Sequence, residues 1–284
     1  MNSPASNLTT GALLSEGYRR LACAIEHPRL DAELLLAHVL KGGRPRLHSH
    51  GGEQRAQGER DAYLALIERR ARGEPLAYVL GSREFWSLRL QVGPAVLVPR
   101  PETELLVERA LALRAEPSGE IADLGTGSGA IALALARERP LWRIAATDVA
   151  ESALAIARRN AQALGISSVE FLLGDWFTPL AGRRFHMLLS NPPYIAEHDP
   201  VLGDAPLKFE PRTALTPGED ALAHLKAIVR KSPAHLERGG WLLLEHGATQ
   251  APEVARELVV RGFGHVRSHR DLAGHERMTE ARWG

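Results

Sequence analysis

Asn191-Pro192-Pro193-Tyr194 is the segment whose residue types point most directly to a reaction. Two consecutive prolines remove two backbone donors and fix φ, leaving carbonyls, notably that of Pro192, as rigid acceptors. With the Asn191 side-chain oxygen this gives two acceptors converging on one NH₂ group, and Tyr194 adds a flat wall. Such a site suits a planar amide or an aromatic amine, because holding both N–H bonds aims the nitrogen at an electrophile and favours charge build-up there. The plain alternative for the tetrapeptide is a proline-stiffened loop.

Three upstream segments supply what an adenosine-containing cofactor needs. Asp123-Leu124-Gly125-Thr126-Gly127-Ser128-Gly129 combines glycines, which allow positive φ and close backbone approach, with a following helix from about Ala130 whose free N–H groups face the ligand. By itself this is ambiguous, since Gly125-x-Gly127-x-x-Ala130 also fits a dinucleotide fingerprint. Asp148 falls 19 residues after Gly129, near the ~20 expected of a ribose-binding carboxylate, although such an Asp also serves as a helix N-cap. Asp175-Trp176 pairs an acceptor for an adenine amino proton with a face on which the ring stacks.

These segments require strand ends to carry them. Short apolar runs at 121–124, 144–147, 169–172, 187–189 and 241–244 alternate with helical stretches, which predicts βαβ crossovers and a parallel sheet with ligands beyond its carboxyl edge. Ahead of it, Leu14, Tyr18, Leu21 and Ile25, then Leu34, Leu35 and Val39, then Leu64 and Ile67, recur at helical spacing and predict a small bundle from Gly11 to Arg72. Between them the period changes to two at Trp86, Leu88, Leu90 and Val92, then Gly93-Pro94 turns into Ala95–Val98, which predicts a β-hairpin. The expected organisation is an α/β chain: an N-terminal helical domain over 1–75, a hairpin linker over 76–100, and a Rossmann-like sheet domain over 101–284.

Composition narrows the classes. The 284 residues are 44% hydrophobic and 24% charged, an ordinary globular mix that excludes a disordered chain. A net charge of +1 gives no overall reason to bind nucleic acid, and the most basic stretch, Lys41 to Arg60, reads as a solvated loop between helices. Cys23 is the sole cysteine, so no internal disulfide and no cysteine-based metal site is expected. The first twenty residues lack the basic start and apolar stretch of a leader, and a cytoplasmic protein is expected.

The D-x-G-x-G-x-G loop together with N-P-P-Y resembles class I S-adenosylmethionine-dependent methyltransferases acting on amide or exocyclic amino nitrogens. A closer resemblance is to the release factor glutamine methyltransferases. It rests on Leu30-Asp31-Ala32-Glu33-Leu34-Leu35-Leu36, Glu74-Pro75-Leu76-Ala77-Tyr78, Arg83-Glu84-Phe85-Trp86, Pro99-Arg100-Pro101-Glu102-Thr103-Glu104, the run Phe209 to Leu215, and Glu245-His246-Gly247. It is weaker before Gly11 and across Lys41 to Arg60. The resemblance implies methyl transfer from S-adenosyl-L-methionine to the side-chain amide nitrogen of the glutamine in the Gly-Gly-Gln motif of class I peptide chain release factors. It implies that Gly125, Thr126, Gly127, Ser128 and Gly129 line the methionine portion, Asp148 takes the ribose and Trp176, beside Asp175, the adenine. Asn191, Pro192, Pro193 and Tyr194 then hold the glutamine, framed by 99–104 and 209–215.

The expected chemistry is direct in-line displacement at the methyl carbon, with no covalent enzyme intermediate, no metal and no dedicated base. His246 is a candidate base by type, but a histidine in that turn is more often structural. The runner-up is an adenine amino-group methyltransferase acting on DNA or RNA, for which a basic face and a target domain are missing. A nicotinamide-dependent oxidoreductase leaves Asn191 to Tyr194 without a use, and a non-catalytic binding module sits poorly with an intact glycine loop and Asn191. A protein substrate, no nucleic acid, no membrane and a monomer complete the expectation.

Overall fold

The computed structural model describes residues 8–284; the reading of the chain's opening as leaderless falls partly outside them, on residues 1–7. The chain divides into two compact units, one ending at Gly81 and the other spanning Ser82–Gly284. No helix among the described residues is long and apolar enough to cross a membrane.

The first unit is the expected bundle: α1 (Thr10–Leu21), α2 (Pro28–Val39), α3 (Arg44–Ser49), α4 (Gln57–Ala71) and α5 (Leu76–Leu80). Thr9 caps α1 by accepting from the Ala12 amide at 3.2 Å. Leu13, Leu21, Leu35, Leu36, Tyr63 and Ile67 form its core; of the residues read from the spacing, Leu21, Leu35 and Ile67 are in it, Leu14 and Leu64 are one position off and only pack against it, and Tyr18 is exposed. Gly17 lets α1 meet α4 closely, since a Cβ there would stand 1.9 Å from the Tyr63 hydroxyl oxygen. The Leu30–Leu36 motif owes its acidic residues to packing: buried Asp31 accepts from Arg70 at 2.7 Å and buried Glu33 from Arg44 at 2.6 Å. Lys41 to Arg60 is not a plain loop, because Pro45 opens the helical turn α3 and Arg55 bonds the Thr10 hydroxyl at 2.8 Å.

The second unit begins with the hairpin, in a different register from the expected one. Strands β1 (Ser82–Phe85) and β2 (Leu88–Gln91) pair antiparallel, with Phe85 opposite Leu88. Trp86 and Ser87, at φ 49° and 57°, form the turn, so Trp86 lies at the tip instead of in a strand. Ala95 to Val98 forms no strand: the Val98 amide bonds the Glu210 carboxylate at 3.0 Å, and this segment enters the wall of the site. After α6 (Glu104–Leu113) come β3 (Gly119–Leu124), α7 (Ala130–Glu138), β4 (Trp142–Asp148), α8 (Glu151–Leu164), β5 (Val169–Leu173), β6 (Phe185–Ser190), α9 (Ala223–Lys231), β7 (Leu236–Glu245), α10 (Ala251–Arg261), β8 (Phe263–Arg270) and β9 (Glu276–Trp283).

The seven-stranded sheet runs β5-β4-β3-β6-β7-β9-β8. β3 to β7 are parallel as predicted, while β9 pairs antiparallel with both β7 and β8. Helix α7 is buried all round from Ala130 to Ala136, its alternating alanines allowing close approach to the sheet. The strand order reverses beside β3, so the carboxyl ends of β3, β4, β5 and β6 open onto one crevice, the place where such sheets bind ligands.

Candidate active site

The crevice holds a cavity of about 420 Å³, within the range of roughly 300–1,000 Å³ usual for cofactor pockets. It is lined by the loop from Gly125 to Ser128, by Asp148, by Asp175 and Trp176, and by Asn191 and Pro193. Gly129, Pro192 and Tyr194 stand outside this wall.

The loop leaves β3 with Gly125, Gly127 and Gly129 at φ 75°, 56° and 83°, a conformation side chains rarely adopt. A Cβ on Gly125 would lie 2.9 Å from Trp176 Cζ3, whereas one on Gly127 would enter open space. Gly129 caps α7 and packs beneath it against Leu133 and Ala157, so its part is structural support of the turn. Asp123, fully buried under the loop, accepts from the Thr126 hydroxyl at 2.6 Å and the Ala132 amide at 3.3 Å; burial raises its carboxyl to about 7.

Asp148 closes β4 with both oxygens already engaged. Oδ2 accepts from the Gly127 amide at 2.8 Å and Oδ1 from the Ala150 amide at 2.9 Å. Each oxygen keeps acceptor capacity, so Asp148 both shapes the glycine loop and borders the cavity. Burial raises its pKa against those two amides, which lower it. Beyond β5, Trp176 sits at φ 45° with its ring edge over Gly125. His224 of α9 meets that ring nearly edge-on, at 5.3 Å and 65°, and also lines the cavity.

At the end of β6, Asn191 Nδ2 donates to the Thr103 hydroxyl oxygen at 3.1 Å, leaving its carbonyl oxygen as the uncommitted acceptor of the side chain. The Tyr194 hydroxyl donates to Glu245 Oε1 at 3.2 Å, and the Tyr194 carbonyl accepts from Gln250 at 2.9 Å, so this residue braces the tetrapeptide from behind. Glu245 is buried, and burial lifts its carboxyl to about 7 despite Thr103, Tyr194 and Arg277, which favour the ionised form. His246 is wholly buried, with Nδ1 against the Gly247 carbonyl at 3.0 Å and Nε2 against the Thr279 hydroxyl at 2.9 Å. Both ring nitrogens are thus occupied away from the cavity.

Motif reading alone missed several roles. Glu210 ties the two framing segments together, accepting from Arg100 at 2.5 Å and from the Val98 amide. Thr103 orients Asn191, and Asn160, in the middle of α8, bonds the glycine loop. Only Thr103, Glu210 and Glu245 carried any signal, as members of the quoted motifs.

A cradle that admits no Cβ at Gly125, an α7 N-terminus behind it, a carboxylate at the end of β4 and an indole after β5 together fit a ligand with a charged amino-acid end, a ribose and a purine. This sheet and this site are those of a class I methyltransferase that uses S-adenosyl-L-methionine. Residues 12–81 match the family model described as PrmC N-terminal domain and residues 101–204 that of the methyltransferase small domain. A release factor glutamine methyltransferase of Coxiella burnetii is 46% identical over 94% of this chain and 96% of its own. One from Pseudomonas aeruginosa is 49% identical over 90% of this chain and 92% of its own. The chain belongs to the release factor glutamine methyltransferase family. Its fold extends to distant members of the class: a T. thermophilus 16S rRNA N2 G1207 methyltransferase, solved with AdoMet and guanosine, superposes with a TM-score of 0.52 at 20% identity, covering 72% of this chain and 50% of that one.

Proposed function

We propose that this chain transfers the methyl group of S-adenosyl-L-methionine to the side-chain amide nitrogen of the glutamine in the Gly-Gly-Gln motif of class I peptide chain release factors. The observation that carries the reading is the Asn191 side chain: its NH₂ group is committed to Thr103 at 3.1 Å, which leaves its oxygen as an acceptor, and the residue lines the same cavity as the glycine loop. An acceptor there selects a substrate nitrogen that still carries hydrogens.

When bound, the cofactor supplies a methyl group activated by a sulfonium. Gly125, Thr126, Gly127 and Ser128 would hold its methionine portion, Asp148 its ribose, and Asp175 with Trp176 its adenine. Asn191 Oδ1 and the Pro192 carbonyl would accept the two N–H bonds of the glutamine amide, with Pro193 shaping the wall and Tyr194 bracing the segment from behind. Held in this way, the amide nitrogen would aim its lone pair at that methyl group, and the surplus amide proton would leave to water or to the carbonyl that holds it. Positioning and electrostatics carry the rate, and His246, sealed by its two hydrogen bonds, holds no proton for the reaction. The helical domain, expected over 1–75, adds a second contact that raises the local concentration of the target loop. The protein acts as a cytoplasmic monomer on a protein substrate, without binding nucleic acid.

The test is to incubate the protein with methyl-labelled cofactor and a whole-cell extract, then treat parallel samples with nuclease or protease. Label lost only to protease, on a band of release-factor size, supports the reading. Label lost to nuclease overturns it.

A further inference from the structure

Glu245-His246-Gly247 stands out in the sequence, yet these residues lie outside the cavity wall. What the turn does is seen in Gln250, the residue before α10, whose side chain reaches back across it. Oε1 accepts from the Gly247 amide at 2.8 Å and Nε2 donates to the Tyr194 carbonyl at 2.9 Å. A backbone N–H only donates and a carbonyl only accepts, so these partners allow one orientation of the glutamine amide. Gly247 makes the approach possible, since a Cβ there would stand 3.2 Å from both Cδ and Oε1 of Gln250. The turn itself is anchored: the His246 amide bonds the Arg277 carbonyl at 2.9 Å, and its ring is fixed between the Gly247 carbonyl and the Thr279 hydroxyl.

Tyr194 is therefore held at two points from this side, its carbonyl by Gln250 and its hydroxyl by Glu245 at 3.2 Å. The N–H of the same peptide, from Ile195, bonds the Leu215 carbonyl at 3.1 Å, so that peptide is suspended between the framing run 209–215 and the turn after β7. At the other end of the segment Asn191 is tied to Thr103 at 3.1 Å. Between the two anchors stand Pro192 and Pro193, whose rings fix φ and leave few torsions to absorb a shift. A rotation of the Tyr194 peptide is thus passed on to the Pro192 carbonyl, and a misplacement of about 1 Å there is enough to cost about a hundredfold in rate.

We propose that Gln250 is a positioning residue for methyl transfer: by joining the Gly247 amide to the Tyr194 carbonyl it fixes where the N-P-P-Y segment, and with it the Pro192 carbonyl, meets the substrate nitrogen. The inference rests on the amide-methylating function above. Gln250 is not part of the cavity wall, so its loss shows in turnover and not in cofactor affinity.

The test measures methyl transfer to intact release factor by two variants. Gln250→Glu keeps the size and the acceptor for Gly247 but, while ionised, has no hydrogen for the Tyr194 carbonyl; Gln250→Leu lacks both groups. At about pH 8 the expected result is kcat reduced by about 10- to 100-fold in each, with cofactor Kd within about threefold of the parent by calorimetry. A carboxylate facing a carbonyl oxygen and Glu245 protonates above the usual ~4.3, and once protonated it donates again. Lowering the pH towards about 5.5 should therefore raise the kcat of Gln250→Glu relative to the parent several-fold, while the ratio for Gln250→Leu stays flat. Glu245, His246, Glu276 and Arg277 stand near the turn in all three proteins, so their own titration divides out of the ratio. Near-normal turnover in both variants overturns the proposal, as does a pH-independent ratio for Gln250→Glu or a parallel loss of cofactor binding, which mark a packing role. The unaltered protein run alongside separates the two levels: if it transfers no methyl to release factor, the function itself fails, whereas an active parent with unaffected variants removes the role of Gln250 alone.

Discussion

Asn160 donates from Nδ2 to the Ser128 carbonyl at 2.9 Å while bonding both backbone groups of Gln91, at 2.7 and 3.1 Å. One side chain, 1% exposed, therefore ties the glycine loop to the last residue of the hairpin. Asn160→Ala leaves these buried groups unpaired and is expected to cost about 1–3 kcal/mol of stability. It should also weaken cofactor binding, whereas a cavity effect alone would lower the melting temperature without changing the Kd measured by calorimetry below that temperature.

Gly125→Ala places a methyl against the Trp176 ring at 2.9 Å from a backbone at φ 75°. Strain of about 1–3 kcal/mol at such a position corresponds to a roughly five- to hundredfold loss of cofactor affinity if it is relieved by moving the loop or the indole. Gly127→Ala meets no neighbour in the protein, so its cost is confined to φ 56° and to any bound ligand. A calorimetric comparison of the two should rank Gly125→Ala worse for stability.

Asp148→Asn removes the charge and one acceptor from a group that serves the Gly127 and Ala150 amides. Losing a charge-assisted bond of roughly 1.5–3 kcal/mol predicts a Kd for S-adenosyl-L-methionine raised by about ten- to a hundredfold. Because burial raises the Asp148 pKa, acidification should weaken binding by the parent protein sooner than for an ordinary aspartate, and this dependence should be absent in Asp148→Asn.

Asp123 predicts the pH dependence of stability. Its pKa rises from 3.8 to about 7 on folding, so the native state holds a proton that the unfolded state has lost between those values. Its contribution is full below about pH 4 and disappears as pH climbs through 7. Asp123→Asn keeps a neutral group there. The melting temperature of the variant minus that of the parent should therefore increase between pH 5 and 8; a constant difference would show that Asp123 is ionised throughout.

Much of the site was legible because its parts are contiguous: the loop 123–129, Asp148, Asp175-Trp176 and 191–194 each end or follow a strand that the apolar runs reveal. The hairpin was misread at Trp86-Ser87 because neither residue is of the Asn-Gly type that signals a left-handed two-residue turn, so the alternation seemed to start at the tryptophan. β8 and β9 escaped notice since their sequences, such as Phe263-Gly-His-Val-Arg-Ser-His-Arg270, are polar on both faces and give no apolar run. Thr103 stood in view within its motif, yet its hydrogen bond with Asn191 spans 88 residues, which no spacing encodes.

The central claim is tested most directly by incubating purified release factor with the protein and S-adenosyl-L-methionine, then locating the methyl group by fragment mass spectrometry. One methyl on the side-chain nitrogen of the Gly-Gly-Gln glutamine, lost with Asn191→Ala while cofactor binding persists, is the predicted result. A methyl on any other residue, or turnover by Asn191→Ala equal to that of the parent, would contradict the account.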